Sequence, residues 1–522
     1  MDNPEKFMNK PENNFQINKN MVSHNDYIGH FINGKNELCD GPVRDIYDPS
    51  TGDVARQVKL ARKLIVDKTI QAAEIAFLKW KNTTPIKRAR IMFEYKGLLE
   101  SNSNFICELI GQEHGKISHD ALGELQRAIE NVEYACAAPE ILKGAFTRNA
   151  GTNVDSWSEF HPIGIVAGIT PFNFPVMVPM WMIPLAVVCG NTFILKPSEK
   201  DPTATLFICQ LLHEAGLPDG VLNVINGDKE TVDLLLRDHR IQAISFVGST
   251  PVAKSIYEAA CSHGKRCQAL GGAKNHAVIA PDADLDDAVD QLMGAAFGSS
   301  GERCMALSVV IVIGEKKADT LVEKLKSKMK YLKVGPHHNT DNNFGPLISK
   351  QHKEYVLSQI QSAVNDGASI PVDGRHVQVS GYKNGFFIGA TLLDDVETDM
   401  ESYQNEIFGP VLQIIRANSV DDAIEIINSN AYGNGTCIFT QNGALGRYFS
   451  NNVNIGMVGI NTPLPVPISY HSFGGWKASL FGDLCAYGPD GVRFYTKRKT
   501  ITQRWQVELG KAGSHFSMPS SG

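Results

Sequence analysis

A cysteine directly after a turn of small residues is the strongest chemical signal in the sequence. Cys304 follows a turn of glycine and serine at 298–301 and precedes an apolar run, 309–313, that is typical of a buried strand. Such a turn lets a ligand approach the backbone closely, and the strand behind it holds the turn in place. We therefore predict that Cys304 is a nucleophile and that the other nine cysteines are inert packing residues. The adjacent Arg303 and a helix before the turn are expected to favour the thiolate, which is the attacking form.

Further polar residues follow predicted strands between residues 163 and 250. Strands and helices alternate there, which predicts an α/β protein with an open parallel sheet that binds ligands beyond the carboxyl ends of its strands. The helix that begins near Ser249 can receive a pyrophosphate at its positive end, but a simple helix cap explains Ser249 equally well. The residues at the predicted strand ends are Thr170, Phe172, Asn173, Lys196, Glu199 and Gly248-Ser249-Thr250.

Glu199 bears on which nucleotide would bind at this edge of the sheet. A carboxylate can accept hydrogen bonds from a ribose diol and repels a 2′-phosphate, so Glu199 beside Lys196 favours NAD over NADP. The sequence has no Gly-x-Gly-x-x-Gly pattern at a strand-to-helix turn. The cofactor prediction therefore depends on these side chains.

Composition and charge limit the possible classes of protein. The 522 residues are 43% hydrophobic with a net charge of −6, enough for two or more buried cores, and the longest basic block is residues 497–499. Nucleic acid and an anionic membrane are therefore not expected as partners. The ten cysteines include no Cys-x-x-Cys pair, so we expect neither disulfides nor a bound metal. Residues 163–195 carry no charge, but their prolines would break a membrane-spanning helix.

The motifs, taken in order, resemble those of the aldehyde dehydrogenases from about Phe31 to Trp505. Within that family the chain is most similar to the CoA-acylating branch that oxidises methylmalonate semialdehyde, through residues 301–306, 273–276 and 126–131 and in the tail at 516–519. The family motifs are Thr170-Pro-Phe-Asn-Phe-Pro175, Lys196-Pro-Ser-Glu199, Phe246-Val-Gly-Ser-Thr250, Gly301-Glu-Arg-Cys304, Glu406-Ile-Phe-Gly-Pro410 and Phe473-Gly-Gly-Trp-Lys477.

The resemblance implies roles for individual residues. Cys304 would be the nucleophile, and the side-chain amide of Asn173 with the backbone N–H of Cys304 would form an oxyanion hole. Arg127 and Arg303 are the candidates for holding a substrate carboxylate, and a structural ion pair is the alternative for each. The expected contacts to NAD are Thr170, Phe172, Lys196, Glu199, Lys200, Ser249, Gly271 and Glu406.

The resemblance also implies a three-part fold and a homo-oligomer, either a dimer or a tetramer. Residues 1–36 lack an apolar signal segment, so we expect a cytoplasmic protein. The expected parts are a flexible N-terminal arm (1–30), a Rossmann-like NAD-binding domain (31–144 and 161–277), an α/β catalytic domain (278–485), a small β oligomerisation ribbon (145–160 and 486–508) and a C-terminal tail (509–522).

One departure from the family pattern bears on the expected reaction. Hydrolytic members carry a glutamate at the head of Glu-Leu-Gly-Gly-Lys to activate water, whereas this chain has Ala269 and Leu270 there. Water needs a general base to attack a thioester quickly, whereas a CoA thiol with a pKa of about 8.5 needs far less activation. We therefore expect NAD-dependent oxidation of malonate semialdehyde or methylmalonate semialdehyde with CoA, giving acetyl-CoA or propionyl-CoA, NADH and carbon dioxide or bicarbonate. Two alternatives stay open: a hydrolytic enzyme with Glu302 as the base, and a catalytically silent protein with this fold.

Overall fold

The structure is a computed structural model that describes residues 27–505. The expected N-terminal arm as far as residue 26 and the expected tail, including 516–519, lie outside the described residues. The strands are β1 (Tyr27–Ile28), β2 (His30–Ile32), β3 (Lys35–Glu37), β4 (Val43–Tyr47), β5 (Val54–Lys59), β6 (Phe146–Gly151), β7 (Val154–Pro162), β8 (Ile165–Ile169), β9 (Thr192–Lys196), β10 (Leu222–Val224), β11 (Ile241–Val247), β12 (Arg266–Leu270), β13 (Asn275–Ile279), β14 (Leu307–Ile313), β15 (Ser369–Val372), β16 (Thr391–Asp394), β17 (Val411–Ala417), β18 (Tyr432–Gly433), β19 (Gly435–Phe439), β20 (Met457–Ile460), β21 (Trp476–Lys477), β22 (Leu480–Phe481) and β23 (Thr496–Arg504).

Helices cover both main sheets. They are α1 (Lys63–Trp80), α2 (Pro85–Ser101), α3 (Ser103–His114), α4 (Ser118–Cys136), α5 (Ala138–Ile141), α6 (Met177–Val188), α7 (Pro202–Glu214), α8 (Lys229–Arg237), α9 (Thr250–Ser262), α10 (Leu285–Phe297), α11 (Glu315–Met329), α12 (Lys350–Asn365), α13 (Glu401–Gln404), α14 (Val420–Ser429), α15 (Gly443–Asn452) and α16 (Gly488–Phe494). The apolar spacing over 67–101 predicts one long helical stretch, but the structure divides it into α1 and α2, because Pro85 begins the second helix. The Gly115-Lys116 turn predicts a break in the helical pattern over 105–137, and Gly115, with a φ of 82°, ends α3 there.

The first large sheet has the strand order β22-β12-β11-β8-β9-β10-β2-β3. Its strands from β12 to β10 are parallel and buried, which confirms the predicted α/β sheet. Alternate side chains enter two different cores: Val166 packs with α4 and α6, whereas Ile165 and Ala167 pack with α1 and α9. Both faces are therefore covered, as a parallel sheet requires.

A second sheet of seven strands holds the nucleophile turn in place. Its order is β15-β16-β17-β14-β13-β19-β20, and β14 lies in the middle, parallel to β13 and β17. The apolar run 309–313 forms most of β14 and is buried, as the sequence predicts. Leu480 and Phe481, which fall in the range expected for the catalytic part, pair instead with β12 of the first sheet.

A three-stranded antiparallel sheet, β23-β7-β6, stands apart from both large sheets. β23 pairs with β7 along nine successive positions, from Thr496 with Pro162 to Arg504 with Val154. The strands of this sheet come from the two segments, 145–160 and 486–508, that the sequence assigns to an oligomerisation ribbon, although β7 runs on to Pro162 and the second segment also forms α16. The uncharged stretch 163–195 folds into β8, a loop, α6 and β9. No helix within residues 27–505 is long and apolar enough to cross a membrane.

Candidate active site

Cys304 lies at the end of a strained turn between α10 and β14. α10 ends at Phe297, and a single 3₁₀ turn, Gly298–Gly301, follows. Ser299 and Ser300 adopt φ values of 51° and 56°, in the left-handed region that non-glycine residues rarely occupy. Gly301 continues with a φ of 72°, and a Cβ there would lie 2.2 Å from the carbonyl oxygen of Gly409. The small residues of the turn are therefore required by its geometry.

The backbone of Cys304 is fixed by two asparagine side chains. The Nδ2 groups of Asn275, on β13, and of Asn434 each donate to the carbonyl oxygen of Cys304 at 2.9 Å. The Nδ2 of Asn275 also donates to the carbonyl of Ala306, which joins the nucleophile segment to the second sheet. These hydrogen bonds hold the cysteine in one position relative to the sheet.

Cys304 and both candidate arginines line one cavity of about 430 Å³. Arg127 enters the cavity from α4 and Arg303 from the nucleophile turn. The structure therefore brings Arg127 to the adjacent pair Arg303 and Cys304, although Arg127 lies far from them in the sequence. Most of the remaining wall is apolar, with Phe174, Met177, Trp181, Met305, Leu464, Val466 and Phe473.

Asn173 lies against the nucleophile turn. It is buried in the loop after β8, and its Nδ2 donates to the carbonyl oxygen of Glu302 at 3.0 Å. Its amide is therefore directed to the peptide two residues before Cys304. Asn173 is not among the residues that line the cavity of Cys304, and its contribution to an oxyanion hole stays a prediction.

Burial acts against the thiolate that the sequence predicts at Cys304. Burial, together with the Glu406 carboxylate, raises the pKa of the Cys304 thiol to about 12. Neighbouring backbone N–H groups and Arg303 lower the pKa but do not outweigh burial. The Arg303 guanidinium is itself bound to Asp120 Oδ1 at 2.8 Å, so much of its charge is compensated.

Both arginines of the cavity are held in ion pairs. Arg303 packs against Gly298, where a Cβ would lie 2.7 Å from its guanidinium nitrogens. Arg127 bonds Glu130 at 2.6 Å and also donates to the carbonyl of Pro467. The structural ion pairs weighed as the alternative are thus present, and the same side chains also line the cavity of Cys304.

A second group of predicted residues follows β8 and β9, neighbours in the first sheet. Lys196 Nζ bonds Glu199 Oε2 at 2.9 Å. Burial pushes the pKa of Glu199 upward, but Lys196 outweighs it and leaves that pKa below its ordinary value. Lys200 Nζ lies 4.8 Å from the ring centre of Phe172, and Thr170 Oγ1 is buried without a hydrogen-bond partner. These groups form a polar site at the carboxyl ends of the strands.

The glycines after β12 extend this site towards Glu406. Ala273 N–H donates to Glu406 Oε1 at 2.8 Å, and burial raises the pKa of Glu406 to about 7. A Cβ at Gly272 would lie 2.4 Å from Glu406 Oε2, and one at Gly271 would lie 2.8 Å from the carbonyl of Ala478. Ser249 is the exposed residue that precedes α9. Because β12, β11, β8 and β9 are adjacent in the sheet, all these residues share one edge.

Glu302, the base of the hydrolytic alternative, is turned away from the cavity. It is fully buried, its Oε1 accepts from Ile348 N–H at 3.2 Å, and it is absent from the cavity wall around Cys304. Burial raises the pKa of Glu302 to about 8, which keeps the acid mostly protonated at neutral pH. Neither its position nor its protonation suits activation of water beside the cysteine.

Sequence reasoning missed three charged residues that support the site. Asp120 accepts hydrogen bonds from the Arg303 guanidinium and from Ser299 N–H. Lys116 and Glu124 both make hydrogen bonds to the loop that carries Asn173. The only local signal was the Gly115-Lys116 turn, which predicts a break between helices and nothing more. Residues 27–505 contain no group of three or more His, Cys, Asp or Glu side chains that could hold a metal ion.

Comparison with known proteins defines the class to which this site belongs. The model of the aldehyde dehydrogenase family matches residues 39–501, and the chain belongs to that family. Its fold matches that of solved structures of this family of oxidoreductases.

Within the family, three similar proteins show which members the chain resembles. The malonate-semialdehyde dehydrogenase of Pseudomonas aeruginosa is 57% identical over 493 residues, which cover 94% of this chain and 99% of the relative. The crystal structure of a methylmalonate-semialdehyde dehydrogenase from Oceanimonas doudoroffii is 62% identical with a TM-score of 0.92, covering 92% of this chain and 99% of that one. A candidate methylmalonate-semialdehyde dehydrogenase from Sinorhizobium meliloti, complexed with NAD, is 46% identical with a TM-score of 0.92, covering 94% and 100%.

Proposed function

We propose that the protein is an NAD-dependent, CoA-acylating dehydrogenase of malonate semialdehyde or methylmalonate semialdehyde. The observation that carries the proposal is the single cavity in which Arg127 and Arg303 accompany Cys304. Guanidinium groups suit a planar carboxylate, and a semialdehyde of this class offers its carboxylate a short distance from its aldehyde. The names of the relatives from Pseudomonas aeruginosa and Oceanimonas doudoroffii agree with this substrate class. The intact site also disfavours a catalytically silent protein.

The chemistry follows from the groups around Cys304. The cysteine sulfur adds to the aldehyde carbon, and the resulting oxyanion accepts hydrogen bonds from the Asn173 amide and the Cys304 N–H. When bound, NAD accepts the hydride that this carbon must lose. The carbon then becomes a thioester of Cys304, and attack by the CoA thiol transfers the acyl group and frees the cysteine. While the acyl group is held as a thioester, the bond between its α-carbon and the carboxylate breaks, and the carboxylate leaves as carbon dioxide, which water converts to bicarbonate. The electron pair that stays on the α-carbon is stabilised by the thioester carbonyl and takes up a proton.

The carboxylates of the cavity support CoA over water as the acyl acceptor. Asp120 is bound to Arg303 at 2.8 Å, and Glu124 is bound to Lys116 at 2.6 Å. Both are therefore engaged, and Glu302 points elsewhere. Attack by water would need a general base near the thioester, whereas transfer to a thiol does not. Apart from these carboxylates, the cavity wall contains one further possible base, the exposed His119.

The polar edge of the first sheet fits NAD. Glu199 would accept from the ribose diol, Ser249 and the start of α9 would face the pyrophosphate, and Glu406 would hold the second ribose. The orphaned hydroxyl of Thr170 and the packing constraints on Gly271 are consistent with a ligand approaching the backbone here. Phe172, Lys196 and Lys200 complete the proposed set.

The proposal extends to the organisation of the chain. The first and second sheets would belong to the NAD-binding and catalytic domains, with the catalytic domain beginning at β13 and with β22 joining the first sheet from within the range 278–485. The β6–β7–β23 sheet would join subunits of a cytoplasmic homo-oligomer, since Phe146 and Trp505 expose large apolar side chains at or beside it.

Replacing either cavity arginine by leucine should weaken binding of the acidic substrate selectively. Arg127→Leu and Arg303→Leu should each raise KM for malonate semialdehyde roughly tenfold to hundredfold, because a charge-assisted hydrogen bond to the carboxylate is lost. The KM for propanal should change little. Steady-state kinetics with both aldehydes measures the difference. Arg240→Leu is a matched control, since Arg240 is 23% exposed and ion-paired with Asp238 away from this cavity. Equal losses on both aldehydes would show that the arginines support only the fold.

Glu199→Gln should lower the preference for NAD. The amide keeps the size of the side chain but removes the charge that accepts from the ribose diol and repels a 2′-phosphate, so the ratio of kcat/KM for NAD over NADP should fall roughly tenfold or more. Initial rates with each cofactor give the ratio. An unchanged ratio, or a wild-type enzyme that prefers NADP, would refute this assignment.

A further inference from the structure

A fully buried ion pair lies behind the loop that carries Asn173. Lys116 Nζ lies 2.6 Å from Glu124 Oε2, and neither side chain is exposed. Lys116 follows Gly115 in the turn between α3 and α4, and Glu124 lies in α4. Burying two charges is costly unless further hydrogen bonds satisfy them. The other hydrogen bonds of this pair all go to one segment, residues 173–177.

The pair holds this segment at both ends. Lys116 Nζ donates to the carbonyl oxygen of Asn173 at 2.8 Å and lies 4.1 Å from the ring centre of Phe174. Glu124 Oε1 accepts from the N–H groups of Val176 at 2.8 Å and Met177 at 3.1 Å, where α6 begins. A carboxylate at a helix N-terminus is favoured by the unpaired N–H groups and the helix dipole.

The opposite side of the segment faces the nucleophile. Asn173 is held there by its hydrogen bond to the Glu302 carbonyl, so the loop is fixed between the ion pair and the turn of Cys304. An oxyanion donor must be in place before the charge develops, and a displacement of about 1 Å can cost a large factor in rate. We propose that Lys116 and Glu124 are positioning residues that fix Asn173 for oxyanion binding. The inference rests on the proposed function, in which Asn173 serves that role.

The test separates reactions that form an oxyanion from one that does not. In the double variant Lys116→Met/Glu124→Gln, which removes both buried charges together, the pre-steady-state rate of NADH formation should fall roughly tenfold to hundredfold, part of the loss expected for removing a donor. Alkylation of Cys304 by iodoacetamide proceeds at a saturated carbon without an oxyanion, so its rate should stay within about twofold. A parallel fall in both rates would show a general loss of structure and would overturn the proposal.

A second buried pair provides the matched control. Arg56 and Glu113 lie 2.7 Å apart with side chains 7% and 1% exposed, and Glu113 bonds Thr203 and not the Asn173 loop. Arg56→Met/Glu113→Gln should therefore leave NADH formation by the folded protein unchanged. Glu124→Asp keeps the charge and shortens its reach, so it should slow NADH formation with less risk to folding. If the double variant does not fold, Glu124→Asp decides, and an unchanged rate overturns the proposal.

A double-mutant cycle completes the test. Asn173→Ala removes the amide that the pair is proposed to position, so adding Lys116→Met/Glu124→Gln to it should cost less than about twofold further. A full additional loss would mean that the pair acts by another route and would refute the proposal. Absence of NADH formation by the unmodified enzyme would contradict the proposed function and this inference together. Equal rates of NADH formation in the unmodified enzyme, in Lys116→Met/Glu124→Gln and in Glu124→Asp would contradict the inference alone.

Discussion

Cys304→Ala is expected to abolish both steady-state turnover and the first turnover of NADH. Hydride can leave the aldehyde carbon only after the sulfur has added to it, so loss of the nucleophile stops the reaction before any NADH forms. The other cysteines lie elsewhere: Cys189, Cys209 and Cys437, for example, are buried, and the wall of the Cys304 cavity contains no second cysteine. Stopped-flow measurement of NADH with malonate semialdehyde tests the expectation.

Cys485→Ala is the matched control. Cys485 is half-buried like Cys304, and burial raises its pKa to about 11, so the two thiols are similar in exposure and acidity. The control variant should keep both phases of NADH formation. A surviving burst in Cys304→Ala, or its loss in Cys485→Ala, would contradict the assignment of the nucleophile.

The raised pKa of Cys304 makes the same experiment sensitive to pH. A pKa of about 12, caused mainly by burial, means that the thiolate fraction grows about tenfold for each pH unit over the neutral range. Alkylation of Cys304 by iodoacetamide, followed by peptide mapping, should accelerate accordingly between pH 7 and pH 9. A rate independent of pH in this range would show that the free enzyme already holds a thiolate.

Local patterns predicted much of this fold. The apolar run at 309–313 forms a buried central strand, and the alternating strands and helices after residue 163 form a parallel sheet. Both predictions depend on periodicity and on turn residues within a few positions, which physical chemistry relates directly to local structure. The carboxyl-end rule then placed Thr170, Lys196 and Glu199 at one edge.

The electrostatics of the site could not be read in the same way, because they depend on residues distant in the sequence. Arg303 lowers the pKa of the Cys304 thiol as expected, but burial outweighs it, and Asp120, 183 positions away, binds the Arg303 guanidinium. The role of Glu302 depends on its burial against Ile348, which no neighbouring residue reveals. The importance of Lys116 likewise depends on its hydrogen bond to the carbonyl of Asn173, 57 positions further along the chain.

CoA should control steady-state turnover without controlling the first formation of NADH. Without CoA, the enzyme should release a burst of about one NADH per active site and then stall as the thioester of Cys304, since the carboxylates of its cavity are engaged in ion pairs. Adding CoA should raise the steady rate by roughly a hundredfold or more, which is the lower range of what a general base contributes to attack by water. The rate of first NADH formation should not change, whereas the burst amplitude should fall as CoA makes removal of the acyl group fast.

Two further experiments decide whether the CoA thiol itself raises the steady rate. Desulfo-CoA, which lacks the attacking sulfur, should not restore turnover, so a restored rate would show an effect of CoA binding alone. Glu302→Gln tests the hydrolytic alternative: Glu302 is buried away from the cavity with a pKa raised to about 8, and its amide should leave both the burst and the slow CoA-independent rate nearly unchanged. A steady rate without CoA equal to the rate with it, and lost in Glu302→Gln, would establish that glutamate as a base for water and overturn the acylating assignment.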